Sequence, residues 1–575
     1  MKYGKIAGCV VTVGLMTLTG SVRAEIKMPA VFGDHMVLQR DTGVPFWGWA
    51  DPGEEVTVSL GSVTATTTAG QDGKWRVKLD KLPACNTPIE VNVRGKNKIV
   101  FKDVLIGDVW VCSGQSNMEF GVTGEINAVE LMIKADQPEI RFFYVPMAIA
   151  PTPAKDVLKA SPLTGHKAGW QVCTAESLAK GAPWMGFSAL GYQFGKNIHE
   201  ATGKPVGLIG AYWGGSPAQT WTSLEALQAV PELKVYAEEG VESNATLQKF
   251  LDTRNTELLP KWNTAIDQWV GANKTAMDAY LTASEKWVAD AKQAMAEEKP
   301  LPPQPKPEAP KAPRLDSGKN QGLPGGCFNA MISPLIPYAV KGAIWYQGEA
   351  NARTTEEAAR YRTLFATLIK DWRTRWGQGD FPFLFVQLAN FIPPKSDQTD
   401  SAWAVLRESQ AQTLTLPNTG MAVTTDIGEA ADIHPKDKWD VAQRLALAAR
   451  HVAYGEKLAF SGPVYKGMKV EGNRIRVQFE QVDNGLTIGV PPKHFHPGEQ
   501  RSAATALLGF AVAGTDGKFT WAKAKIEGDS VVVSSETVPN PVAVRYAWAD
   551  SPNANLYNKA GLPASPFRAE SSFTK

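Results

Sequence analysis

The sequence predicts a mixed α/β protein: a layered α/β domain with a β-sandwich-like module before it and a second β-rich module after it. Three observations carry this reading. Residues 25–102 alternate apolar and polar positions at strand period between glycine-containing turns. From 103 to 458 apolar runs alternate with helical segments, the pattern of a sheet covered by helices. Strand alternation then returns over 459–575. At 575 residues the chain is too long for one core, so several domains are expected.

The N-terminus reads as a targeting segment over 1–24. Lys2 and Lys5 precede a largely apolar stretch, Ile6 to Leu18, and Val22-Arg23-Ala24 fits a signal-peptidase site. The mature chain is expected to begin at Glu25 and to be exported, periplasmic or secreted. Ile6-Ala7-Gly8-Cys9 has the look of a lipid-attachment box, but it opens the apolar stretch rather than closing it, so lipidation is rejected. No other run is long enough to span a bilayer, so no membrane insertion is expected after cleavage. Charge is nearly balanced, with 60 basic and 58 acidic residues, which gives no electrostatic case for binding nucleic acid. Cys85, Cys112, Cys173 and Cys327 are too widely spaced for a zinc pattern. One or two disulfides are open to them in an oxidising compartment, with buried free thiols the favoured reading. The 18 tryptophans and 13 tyrosines include enough rings to grip sugar faces, although most are expected in the core.

Within 25–102 the strands are Val44–Ala50, Glu55–Leu60 and Lys74–Leu79, separated by Asp51-Pro52-Gly53 and Gln71-Asp72-Gly73. Nothing in this module has catalytic spacing. In the α/β domain a buried strand, Val104–Trp110, runs into Val111-Cys112-Ser113-Gly114-Gln115-Ser116-Asn117-Met118-Glu119. A serine on the loop leaving such a strand can expose its hydroxyl at the carboxyl edge of the sheet, where open α/β sheets bind ligands. Arg141–Val145 follows as a strand, then a helix from Ala189 to Thr202 that Gly203 is placed to end. Strand Val206–Tyr212 leads into Trp213-Gly214-Gly215-Ser216-Pro217, whose glycines allow close backbone approach and can leave an N–H to donate. Residues 224 to about 298 are helical in composition, and Pro300 to Pro313 is a stiff polyproline-like stretch. Residues 230–322 therefore read as an insertion, a helical arm plus a tether.

The α/β pattern resumes at Phe328–Ile332. Strand Gly342–Tyr346 ends in Gln347-Gly348-Glu349-Ala350-Asn351, and a helix over Tyr361–Trp376 and a strand over Phe383–Leu388 follow. Strand Gly420–Thr425 leads to Asp426 and then to Ala431-Asp432-Ile433-His434-Pro435, ahead of a helix over Asp437–Tyr454. The closing module has strands at Arg474–Phe479, Ser530–Val533 and Ala543–Trp548.

Four strand ends thus offer Ser116, Gly214 or Gly215, Gln347 and His434, in the order needed by a serine esterase on a flavodoxin-like sheet. Serine is a weak nucleophile until a neighbouring imidazole takes its proton. The tetrahedral oxyanion needs fixed N–H donors, each worth roughly 3 kcal/mol. Gln347 is an uncharged amide suited to that task. A helix start just after His434 disfavours imidazolium and keeps the base neutral.

Gly-Gln-Ser-Asn-Met at 114–118, Trp-Gly-Gly-Ser at 213–216, Trp-Tyr-Gln-Gly-Glu-Ala-Asn at 345–351, Asp-Ile-His-Pro at 432–435 and Asn-Leu-Tyr-Asn-Lys-Ala-Gly-Leu-Pro at 555–563 closely resemble the sialate O-acetylesterases, within the SGNH hydrolase superfamily. The resemblance covers nearly the whole mature chain except 230–322. It implies a flavodoxin-like three-layer SGNH domain and hydrolysis of O-acetyl esters on sugars, above all acetylated sialic acid, with no metal and no cofactor. It also implies Ser116 as nucleophile, His434 as base, and an oxyanion hole from the Ser116 N–H, a Gly214 or Gly215 N–H and Gln347. Gln115, Asn117 and Glu349 would then support the serine loop. The superfamily places its aspartate three residues before the histidine, whereas Asp432 is two before His434. Residues two apart face the same side in extended chain but need not in a turn. Asp432 or a backbone carbonyl is left to orient the ring.

Arg353, just past the Gln347 loop, is a candidate for meeting a sialate carboxylate. His494 and His496 could share a strand face and hold a metal, but a loop beside Pro497 is the favoured reading. The competing functions are an acetylxylan-type esterase and a glycan-binding protein with an inactive hydrolase core; the intact Ser116, Gln347 and His434 set speaks against the latter.

Overall fold

The computed structural model describes residues 25–161, 165–297, 299–300, 302–303, 305, 320–393, 401–489 and 505–570. The leader segment, most of the Pro-rich tether and both His494 and His496 lie outside the described residues.

One long strand, Lys98–Gly114, organises the molecule. Its first half belongs to the N-terminal module, pairing antiparallel with Cys85–Arg94 and, through Leu105–Gly107, parallel with Val37–Gln39. Its second half is the central strand of the α/β sheet, between Val206–Tyr212 and Gly342–Tyr346. Phe383–Val386 and Thr419–Ala422 extend that sheet on one side. Gln137–Tyr144 extends it on the other, and Gly169–Cys173 adds an antiparallel edge. The break expected between 102 and 103 therefore falls inside a continuous strand.

The strand residues are apolar nearly throughout because both faces are covered. Val109, Val111, Ile209, Ala211, Ala343 and Trp345 enter one core, with Phe365, Leu368 and Trp372 from helix Thr355–Trp376 and Leu406 from helix Ala402–Gln412. The alternate residues Trp110, Cys112, Leu208, Tyr212, Ile344 and Tyr346 enter the other, against Leu190, Phe194 and Ile198 of helix Ala189–Thr202 and Val441 and Leu445 of helix Trp439–Tyr454. Helix Ala189–Thr202 is capped by Ser188, whose hydroxyl accepts from the Gly191 N–H, and it ends at Gly203 with φ 62°.

The insertion forms helices Lys234–Thr253 and Leu259–Ala296, joined by a π-turn over Arg254–Leu258. The C-terminal module has its own core, built on two four-stranded sheets. It is bolted to the α/β domain by buried polar contacts. Arg407, fully buried, donates to the carbonyls of Ala549 and Asp550, and the Tyr557 hydroxyl donates to Asp426 Oδ2 at 2.6 Å. Cys112, Cys173 and Cys327 are buried free thiols and Cys85 is a half-buried one. No described helix is long and apolar enough to cross a membrane.

Candidate active site

The chain leaves the central strand to one side of the sheet first and to the other afterwards, so the carboxyl end of Lys98–Gly114 is the point where strand order reverses. A crevice opens at such a point. Ser116 stands there, as the first residue of a short helix, Ser116–Glu119. Gly114 makes that turn possible. Its φ is 135°, and a Cβ on it would collide with the Tyr346 carbonyl oxygen. Gly114 is level with Tyr212 and with Tyr346 in the sheet, so the loops starting at Trp213 and Gln347 emerge beside the serine.

The serine and histidine loops, more than 300 residues apart, are clasped by Asn117. Its Nδ2 donates to the Ile433 carbonyl at 2.9 Å and to Glu349 Oε1 at 2.5 Å, and its Oδ1 accepts from Lys438 Nζ at 2.7 Å. Aromatic rings make a second bridge. Trp184 stands edge-on to both Phe120, at 5.4 Å, and His434, at 5.1 Å. Ser116 and His434 remain partly exposed, while Gln115, Asn117, Glu119, Gln347 and Glu349 around them are buried. Among the described residues no hydrogen bond joins the Ser116 hydroxyl directly to the His434 ring, a gap common in sites that tighten around substrate.

His434 is held below the ordinary imidazole range by burial first and by the Lys438 ammonium second, with Asp432 pulling the other way. The neutral base anticipated from a helix start thus has a different main cause. Asp432 Oδ1 accepts the His434 backbone N–H at 2.9 Å and lies 3.7 Å from Nδ1. The carboxylate is on the ring's side of the turn, yet its hydrogen bond goes to the backbone.

Gly214 approaches Ser116 closely: a Cβ there would sit 3.3 Å from Ser116 Cβ and 3.0 Å from Glu119 Oε2. Its N–H is already committed to Glu119 Oε2 at 2.6 Å. Gly215, exposed with φ 72°, carries no such bond among the described residues. The N–H of Ser116 opens a helix and has no intrahelical acceptor.

Gln347 departs from the expectation of a side chain aimed into the crevice. Its Nε2 donates to Asn351 Oδ1 at 2.8 Å and to the Ser216 carbonyl at 3.4 Å, and its Oε1 accepts from the Tyr361 hydroxyl at 2.9 Å. The amide is wholly buried and braces the Gly215–Ser216 turn from behind. Gln115 Oε1 accepts from the Ala350 N–H at 3.1 Å, tying the serine turn to the Gln347 loop. Arg353 is exposed on that loop's far end.

Sequence reading missed Glu119, Trp184 and Lys438. Glu119 was in view as part of the serine stretch, but only the fold shows its carboxyl on Gly214, where burial raises it to about 7. Lys438 reads in the sequence as an ordinary lysine in the first turn of the predicted Asp437–Tyr454 helix. No metal-binding cluster of histidine, cysteine or carboxylate occurs among the described residues.

Residues 327–450 match the family model described as carbohydrate esterase, sialic acid-specific acetylesterase. A crystal structure of a carbohydrate acetylesterase from Xanthomonas citri is 33% identical, superposes with a TM-score of 0.72, and matches 95% of this chain and 100% of its own. This chain belongs to the sialate O-acetylesterase family. Within that family the human sialate O-acetylesterase is 28% identical over 94% of this chain and 92% of its own. The rat sialate O-acetylesterase is 29% identical over 97% and 98%. The chain is accordingly a carbohydrate esterase.

Proposed function

We propose that this esterase removes O-acetyl groups from sialic acids through an acetyl-serine intermediate. The observation that carries the reading is the Asn117 clasp, which ties the backbone beside Ser116 to the backbone beside His434. Ser116 Oγ attacks the acetyl carbonyl while His434 takes its proton. The oxyanion is met by the N–H groups of Ser116 and Gly215, since Glu119 holds that of Gly214. Gln347 backs that hole from behind, holding the Ser216 carbonyl and with it the turn that carries Gly215. Collapse expels the sugar hydroxyl, protonated by His434. Water, deprotonated by the same imidazole, then releases acetate and restores Ser116. Asp432 fixes the His434 turn through the backbone, and Gln115, Asn117 and Glu349 hold the serine turn. Arg353, exposed on the loop after Gln347, is the candidate for meeting a sialate carboxylate.

The helices on both sheet faces support a three-layer, flavodoxin-like SGNH domain over 103–458, with the arm and tether of 230–322 inserted and β-rich modules at 25–102 and 459–575. Residues 1–24 have the makeup of an export signal, which places the mature enzyme in the periplasm or outside the cell. Acetate release from O-acetylated sialic acid and from acetylated xylan tests the substrate. Turnover of the sialic acid ester at least tenfold faster in kcat/KM is expected; preference for xylan contradicts it.

A further inference from the structure

Lys438 is a buried lysine at the site, and packing alone does not explain its burial. It is wholly buried, with its ammonium 4.9 Å from the Phe120 ring centre and 5.4 Å from that of Tyr346. Burying a lysine is costly unless its charge and donors are used. Its hydrogen-bond partner is Asn117 Oδ1, at 2.7 Å.

The chemistry of that bond decides which way Asn117 faces. An ammonium has only donors, so the amide must turn its oxygen toward Lys438. Its Nδ2 then faces the two acceptors on the other side, Glu349 Oε1 and the Ile433 carbonyl. Flipped, the amide would set its oxygen against a carboxylate and a carbonyl and its N–H groups against an ammonium. We infer that Lys438 is a positioning residue for ester hydrolysis: by fixing the Asn117 amide in this orientation it holds the Ser116 turn and the His434 loop in register. The inference deepens the Ser116–His434 reading above and rests on it.

The same ammonium acts on the base through space. Its positive charge disfavours imidazolium at His434. The groups facing Lys438 are Glu349 on the loop after Gly342–Tyr346, Asp432 and Glu429 on the histidine loop, and Asp437 beside it, all favouring its charged form, while Glu125 lies within its field. Burial outweighs them and brings Lys438 down to about 7.

Lys438→Met keeps the length and removes both donor and charge. Expected is a fall in kcat of at least tenfold, KM within threefold of wild type, and an acid limb of kcat/KM displaced to higher pH, because imidazolium is no longer opposed. A wild-type kcat overturns the inference, and so does a kcat loss with an unmoved acid limb, which marks a merely structural lysine. If Lys438→Met does not fold, Lys438→Met with Glu349→Gln removes the buried pair together. Measured against Glu349→Gln alone, that double variant must show the same kcat loss and the same direction of limb movement. Ser116→Ala separates the two levels. Retained turnover in Ser116→Ala refutes the underlying reading, whereas an inactive Ser116→Ala beside an unaffected Lys438→Met refutes only the role of Lys438.

Discussion

In the proposed mechanism Ser116, His434 and the glycine beside them set the chemistry, and each has a measurable consequence. Replacing Gly214 by alanine puts a methyl group 3.3 Å from Ser116 Cβ and 3.0 Å from the Glu119 carboxyl. Misplacing a reacting group by a fraction of an ångström is expensive, and kcat for Gly214→Ala should fall by about 10²-fold; a steady-state assay with p-nitrophenyl acetate reads this. His434→Ala should lose several orders of magnitude, while Asp432→Asn, whose carboxylate bonds the backbone rather than the ring, should lose at least tenfold less. Equal losses would show that Asp432 acts on the ring itself. The pH profile follows from the same residue. The proposed mechanism needs neutral imidazole, and burial with the Lys438 charge lowers the His434 pKa, so activity should persist as pH falls through 6.5 and be lost only below it. An acid limb above 6.5 contradicts this environment. At this scale the candidate residues stand out in the sequence because serine, histidine and glycine at strand ends suggest their chemistry. Lys438 and Glu119 do not, since nothing in a sequence says that a charged side chain has been taken out of water.

Elements explain why those residues meet. The apolar runs at Val206–Tyr212 and Gly342–Tyr346 were readable as buried strands, and the capping of Ala189–Thr202 by Gly203 was readable from the glycine itself. Which strands are neighbours was not, because pairing depends on helices crossing both faces rather than on any local pattern. The tail motif over 555–563 is a case in point, because only the fold shows what its side chains hold. Asn558 Nδ2 donates to the carbonyls of Ser461 and Gln481, and Tyr557 reaches Asp426, whose carboxylate is paired with Arg444 at 2.6 Å. Asp426→Asn leaves the Arg444 guanidinium buried without its counter-charge and should cost about 3–5 kcal/mol of stability. Tyr557→Phe removes one hydrogen bond to a charged group and should cost about 1.5–3 kcal/mol. Urea denaturation checks both, and a larger loss for Tyr557→Phe would reverse the assignment of Asp426–Arg444 as the centre of this joint.

For the whole molecule, changes in periodicity suggest three modules, but the contacts that join them leave no mark on that pattern. The Lys98–Gly114 strand serves two of them, and Arg407 and Asp426 join the third to the α/β domain. A chain ending at residue 458 strands these buried groups, and its melting temperature should lie well below that of the full protein; equal melting temperatures would make the closing module a mere appendage. The central claim concerns one covalent bond. Brief reaction with p-nitrophenyl acetate, an acid quench and peptide mass mapping should find a single acetyl group on the peptide containing Ser116, absent in Ser116→Ala. Rapid turnover with the acetyl group on another residue, or turnover retained in Ser116→Ala, would contradict it.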